Sequence, residues 1–211
     1  MTALTLPALA PHGGGILFVL SAPSGTGKTT LGRGLCERLP RLRFSVSATT
    51  RAPRGHERDG ADYHFVSPER FASLVRDDEL LEWAEVHGNR YGTPVAEWRR
   101  ACAEGFDLIL DIDTQGAFQV RERMPESALV FVLPPSAAEL ERRIRGRGED
   151  DDATIRRRLA AAAKELAVVS RYDYVVVNDD LDRAREELAS IVRAERARAA
   201  RRLAPPVPQT S

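Results

Sequence analysis

The stretch Ser21-Ala22-Pro23-Ser24-Gly25-Thr26-Gly27-Lys28-Thr29 constrains the fold more than any other part of the chain. An apolar run at 16–21 precedes it and reads as a buried strand. Leu31, Leu35 and Leu39 follow at helical spacing, so the turn opens a helix. The pattern is GxxxxGK(S/T), with Ala22 at the first glycine position, where a small residue serves. Gly25 and Gly27 let the backbone turn so that successive N–H groups face one anion. The helix adds the positive end of its dipole. Lys28 brings a point charge to terminal phosphates, and Thr29 offers a hydroxyl to Mg²⁺. Ala22, Pro23, Ser24, Gly25, Thr26, Gly27, Lys28, Thr29 and Thr30 are therefore the expected contacts to ATP or GTP. The motif leaves open where the phosphate goes.

The rest of the chain supplies a frame for this loop. Apolar runs at 106–112, 129–133 and 174–177 are nearly continuous, as in strands covered on both faces. Helical stretches at 94–104, 114–123, 137–144, 153–170 and 181–203 separate them. Strands alternating with helices predict an α/β fold with a parallel sheet flanked by helices. Residues 47–93 break the rhythm: they are polar, carry Pro53, Gly55 and Gly60, and hold short strand-like pieces at 62–66 and 80–86. They read as an inserted lobe. The charged run RGRGEDDD at 145–152 reads equally as a mobile lid or a solvated loop. The last helix is charged nearly throughout after Arg193 and is expected to project into solvent.

Composition narrows the function. Lys+Arg and Asp+Glu both number 31, so no global basic field serves nucleic acid. Cys36 and Cys102 have no metal or redox spacing and read as reduced, partly buried thiols. No apolar run is long enough to span a bilayer. Residues 1–14 show no secretory pattern and are expected to be flexible, and the Pro-rich 204–211 to be disordered. A cytoplasmic protein with neither nucleic-acid nor membrane partners is expected.

Several segments in order now resemble one family. They are SAPSGTGKTTL (21–31), FSVSATTRAPR (44–54), GADYHFVS (60–67), LEWAEVHGNRYGT (81–93), LDIDTQGA (110–117), LPPS (133–136), RGRG (145–148) and VNDD (177–180). Over about 15–195 the chain is similar to guanylate kinase. The resemblance implies a P-loop NTPase core (15–46, 94–144 and 159–203), an inserted GMP-binding lobe (47–93) and a mobile lid (145–158). It implies transfer of the γ-phosphate of ATP to GMP, with dGMP as a further substrate and Mg²⁺ as cofactor.

The same resemblance suggests roles that chemistry supports. Arg51 and Arg54 share a loop, and guanidinium groups pair well with phosphate oxygens. With the Tyr63 and Tyr91 hydroxyls they are the implied holders of the GMP phosphate. Glu82 is the implied base reader: a carboxylate accepts from guanine's adjacent donors and repels adenine's ring acceptor. Ser47 and Thr93 would complete that pocket. Asp111 and Asp113 end an apolar strand beside the loop, where carboxylates are costly unless met by charge or metal. By the resemblance Asp113 would contact guanine and organise the site, and Asp111 would stand nearer the Mg²⁺ shell through water; the reverse division and a plain helix-capping role stay open. Arg143, Arg147 and Arg158 are the lid-region catalytic candidates beside Lys28, with Arg156 and Arg157 competing for the third place. Asn178 would touch adenine or serve only a turn.

Other readings are weighed by the same residues. A ribose-phosphate kinase of similar fold needs no Glu82. A phosphopeptide-binding module of this family has a degraded loop, whereas Lys28 and Thr29 are intact. A nucleic-acid-driven ATPase fits poorly with zero net charge. The sequence leaves monomer or homo-oligomer undetermined.

Overall fold

The computed structural model describes residues 15–86, 88–146 and 152–202. The expectations for 1–14, 204–211 and Arg147 lie outside the described residues. In chain order the elements are β1 (Leu17–Ser21), α1 (Lys28–Arg38), β2 (Leu42–Phe44), β3 (Ala48–Thr49), β4 (His64–Phe65), α2 (Pro68–Arg76), β5 (Leu80–Val86) and β6 (Asn89–Pro94). They continue with α3 (Val95–Ala103), β7 (Asp107–Asp111), α4 (Thr114–Arg123), β8 (Ala128–Leu133), α5 (Ala137–Arg145), α6 (Asp152–Leu166), β9 (Tyr174–Val177), α7 (Leu181–Ala197) and α8 (Ala199–Arg202).

A parallel five-stranded sheet in the order β2-β7-β1-β8-β9 carries the core, as the apolar runs predict. Strand alternation divides β1 between two layers. Phe18 and Leu20 pack with Leu31, Leu35 and Leu188 under α1 and α7. Leu17 and Val19 pack with Ala101, Ala117 and Val120 under α3 and α4. Every residue of β1 is buried, and its one polar residue, Ser21, stands at its end. The register pairs Leu20 with Asp111, so β7 ends beside the turn that leaves β1. Loops at the carboxyl ends of adjacent strands in such sheets build the ligand site.

A separate four-stranded sheet, β4-β3-β6-β5, lies within the 47–94 region and has its own small core of Ala48, Phe71, Leu74 and Leu80. Its hairpin β5–β6 and helix α2 are absent from the sequence reading. α2 carried a start signal: Ser67 caps Arg70 N–H with its hydroxyl, and Pro68 follows at the first helical position. Leu140, Ile144, Ile155 and Ala162 form a third core between α5 and α6.

The chain's end differs from expectation. The helix read at 153–170 stops at Leu166, followed by a 3₁₀ turn at Val169–Arg171. The helix read at 181–203 breaks at Arg198, whose ψ of 133° is extended. Nor does it project into solvent past Arg193. Glu195 is 1% exposed, accepts from Tyr174 Oη and pairs with Arg198 and Arg201. Arg196 binds Asp107 at 2.7 Å, and Asp107 in turn accepts from Ile16 N–H at 3.0 Å. These charges bind the last helix to β7 and β9, a long-range pairing that a helix-face reading misses.

Candidate active site

The loop between β1 and α1 is shaped by its glycines. Gly25 and Gly27 take φ of 94° and 86°, the left-handed region closed to most side chains. Gly27 is also the residue that begins α1, and no side chain caps that end. The first amides of α1 are thereby left for an anion. Thr26 is fully buried and turns the loop on itself, its hydroxyl donating to Pro23 O at 2.7 Å.

Two groups brace the loop from behind. Asn178, at the end of β9, is buried and donates its amide to Thr26 O at 2.7 Å. A Cβ on Gly27 would lie 3.0 Å from that amide nitrogen, a second reason for glycine there. Arg143 reaches Thr26 O at 3.5 Å and Asn178 O at 3.3 Å, and Glu139 holds its Nε at 2.7 Å. In this structure both residues therefore support the loop's backbone.

The loop faces a cleft of about 430 Å³. Ala22 through Thr30 line one wall, and Ser47, Tyr63, Glu82, Tyr91, Asp111 and Asp113 are among the residues that line the rest. Lys28 Nζ sits 2.7 Å from Asp111 Oδ1 and donates to Ile112 O at 2.6 Å. Thr29 Oγ1 donates to Asp111 Oδ2 at 2.5 Å. Asp113 is the cap of α4: Oδ1 accepts from Gly116 N–H at 2.9 Å and Oδ2 from Gln115 Nε2 at 3.1 Å. The two aspartates thus differ: Asp111 faces the loop's lysine and threonine, while Asp113 orders the next helix and still borders the cleft.

Glu82 lies on β5, 3% exposed. Its Oε1 accepts from Thr93 N–H at 2.9 Å and from Thr93 Oγ1 at 2.7 Å, across the β5–β6 hairpin. Burial pushes its carboxyl up to about 7, opposed by the Thr93 bonds. Thr93 therefore acts through Glu82.

A second hollow of about 320 Å³ shares Thr29, Ser47, Tyr63 and Asp111 with the first and adds Glu57. Arg51 is nearly buried, with NH1 and NH2 each 2.9 Å from a Glu57 oxygen. Its guanidinium lies over the Tyr63 ring, 5.3 Å from the centroid. Glu57 also accepts from Arg54 N–H at 2.8 Å; the Arg54 side chain is exposed. The Arg51 bond holds Glu57 below the usual carboxylate range. Glu57 is absent from the sequence reading, although an acid so near Arg51 and Arg54 is a usable signal.

On α6, Arg156 and Arg157 are exposed and Arg158 is half-buried, which separates the three candidates. Two helical turns on, Glu165 borders the cleft. Burial pushes its carboxyl up to about 7, with Lys28 acting against the rise and Asp113 with it. The sequence reading omits Glu165; its one signal was an acid next to an alanine-rich face.

Cys36 and Cys102 are free and half-buried, and burial pushes the Cys36 thiol up to about 12. No described helix is long and apolar enough to cross a membrane. Among the described residues no cluster of His, Cys, Asp or Glu is arranged to hold a metal by itself.

Comparison with known proteins agrees with this geometry. The guanylate kinase family model matches residues 15–195. A guanylate kinase of Anaeromyxobacter dehalogenans is 57% identical over 193 residues, covering 90% of this chain and 85% of its own. That of Bradyrhizobium diazoefficiens is 53% identical over 190 residues, covering 90% and 87%. The crystal structure of guanylate kinase from Anaplasma phagocytophilum superposes with a TM-score of 0.74 at 37% identity, covering 90% of each chain. A match that spans the loop, the second sheet and the last strand leaves one assignment: the chain belongs to the guanylate kinase family.

Proposed function

We propose that this chain catalyses the transfer of a phosphoryl group from ATP to GMP, giving ADP and GDP, at the cleft between the phosphate loop and Glu82. Family membership supports the reaction. The observation that carries the site is that the loop's lysine and a buried carboxylate border the same cavity. In this reading Ala22 through Thr30 hold the triphosphate. Arg51, Arg54, Tyr63 and Tyr91 hold the GMP phosphate, and Ser47, Glu82 and Thr93 read guanine. Asp113 orders the guanine side and Asp111 the loop side. dGMP carries the same base and phosphate and is the further acceptor in this reading.

A GMP phosphate oxygen attacks the γ-phosphorus, one P–O bond forms, and the bond to the bridging oxygen of ADP breaks. A phosphate monoester is largely ionised at neutral pH, so no enzyme nucleophile or dedicated base is needed. Positioning and fixed positive charge do the work. Lys28, Arg143 on α5 and the lid arginines Arg147 and Arg158 supply that charge. Arg143 and Asn178 also hold Thr26 and so fix the loop. Domain closure moves the lobe 47–93 and the lid 145–158 toward the core 15–46, 94–144 and 159–203.

The residues fit Mg²⁺. Thr29 and Asp111 present hard oxygen donors side by side at the loop, the ligand type this ion takes alongside phosphates and water. Bound there with ATP, Mg²⁺ neutralises phosphate charge. ATP and GMP are soluble metabolites of the cytoplasm, and that is the compartment in this reading.

Calorimetry on two variants tests the site. K28M should weaken MgATP binding and spare GMP, and E82Q should do the reverse. Losses that do not separate in this way would show that the two residues do not mark two subsites.

A further inference from the structure

Gly116 is the third residue of α4, and glycine is among the poorest residues for a helix interior. Its backbone is not in the left-handed region, so the chain path alone does not call for glycine. Space does. A Cβ on Gly116 would lie 2.5 Å from Glu82 Oε2, 3.1 Å from Glu82 Cδ and 3.3 Å from Ile112 Cδ1. The other glycines inside helices meet different neighbours: Gly32 faces the Phe44 ring and Gly34 the Arg185 side chain.

Neither partner yields readily. Glu82 is 3% exposed and its Oε1 is fixed by both Thr93 bonds. The first turn of α4 is closed on its own cap, since Gly116 N–H donates to Asp113 Oδ1 at 2.9 Å, and α4 is held against β5 by Gln119, which accepts from Trp83 N–H at 3.1 Å and donates to Trp83 O at 2.8 Å. A methyl group at residue 116 must therefore turn the carboxylate about its anchored oxygen, and the displacement falls on Oε2.

We infer that Gly116 is a positioning residue for purine selection: by carrying no side chain it lets α4 close on Glu82 and sets the direction of Oε2. The inference rests on Glu82 being the guanine reader. Guanine offers two adjacent donors, and hypoxanthine offers the ring N–H without the amine. A carboxylate held at the right angle accepts both from guanine; a turned one loses the second. Preference for GMP over IMP therefore reports the carboxylate's orientation.

The test is a double-variant cycle of G116A and E82D, with kcat and KM measured for GMP, IMP and ATP and thermal melts for each protein. G116A should lower kcat/KM for GMP about tenfold or more, chiefly through KM, because small misplacements at a reacting site are costly. KM for ATP should stay within about twofold, and the GMP/IMP preference should narrow. E82D withdraws the carboxylate by one methylene, so adding G116A to it should cost less than about threefold. A folded G116A within twofold of the parent for GMP, or an equal loss in both backgrounds, overturns the inference. If G116A alone does not fold, the pair decides: a folded pair with the GMP/IMP preference of E82D alone supports the contact, and an unfolded pair overturns it. E82Q separates the two layers. If E82Q leaves GMP preference intact, the reader assignment itself fails; if E82Q abolishes the preference and G116A does not, only the role of Gly116 fails.

Discussion

Lys28 and Asp111 meet at 2.7 Å across the mouth of the phosphate loop, and the same carboxylate takes the Thr29 hydroxyl with its other oxygen. Register brings them together: Leu20 lies opposite Asp111, so β7 ends beside the turn that leaves β1 for α1. The lysine is thus held over the loop by a counter-charge before any phosphate arrives. D111N should keep the fold and lower kcat by roughly a hundredfold, the scale of removing one preorganised charge contact. K28M should lose at least as much. Steady-state rates alongside melting curves check this, and near-normal turnover by K28M would contradict the phosphate role.

Glu82 makes the pH dependence of GMP binding specific. Burial raises its folded-state pKa from 4.5 to about 7. On the proposed function its ionised form accepts guanine's donors, so GMP affinity should climb as pH rises through 7. The GMP phosphate titrates near pH 6 in any case. The difference between parent and E82Q isolates the carboxyl, and calorimetry from pH 5.5 to 8.5 reads it. Identical profiles would remove Glu82 from the base site.

The same shift has a stability consequence of defined sign. A carboxyl with a raised pKa binds protons more tightly in the folded chain, so its favourable contribution is complete below 4.5 and is lost as pH rises to about 7. Urea unfolding should show the parent losing up to about 3 kcal/mol between pH 4.5 and 8 relative to E82Q. A pH-independent difference would mean the group is not protonated in the folded state.

What the sequence shows of this site is what lies close along the chain. The loop is legible because its glycines, lysine and threonine are contiguous and follow a buried strand. Strands β7 and β8 are legible because burial on both faces makes them almost continuously apolar. β9 is legible as an apolar run, but it is not covered on both faces, since Val175 and Val177 are exposed. Glu57 is the exception among the residues missed: its partner Arg51 lies on the same connection between β3 and β4, close along the chain. Glu165 and Gly116 are not legible by that route, because their roles come from the Lys28 charge and the Glu82 carboxylate on other elements. Glu195 failed for the same reason, since only the tertiary fold brings Tyr174 to it.

Glu57 should act through Arg51. Its two oxygens hold both terminal nitrogens of a nearly buried guanidinium, each at 2.9 Å. E57Q keeps the size and removes the charge. GMP KM should rise about tenfold while ATP KM stays put, in keeping with loss of one charge-assisted pair. An equal rise for both substrates would make Glu57 a general structural residue.

Asn178 should act on the donor side. Its amide satisfies the buried Thr26 carbonyl at 2.7 Å, and N178A leaves that oxygen without the bond. The expected cost is about 1–3 kcal/mol of stability. ATP KM should rise several-fold and GMP KM should not. Restoration by N178D is not expected, because a carboxylate has no proton to donate to Thr26 O.

The central claim is that one cleft joins a triphosphate cradle to a guanine-reading carboxylate. ADP release coupled to a spectrophotometric signal, with AMP, CMP, UMP, IMP and GMP offered singly beside MgATP, tests it most directly. Turnover with GMP should exceed that with every other acceptor by orders of magnitude and collapse in E82Q. Efficient turnover of AMP or of a pyrimidine nucleotide, with GMP idle, would contradict it.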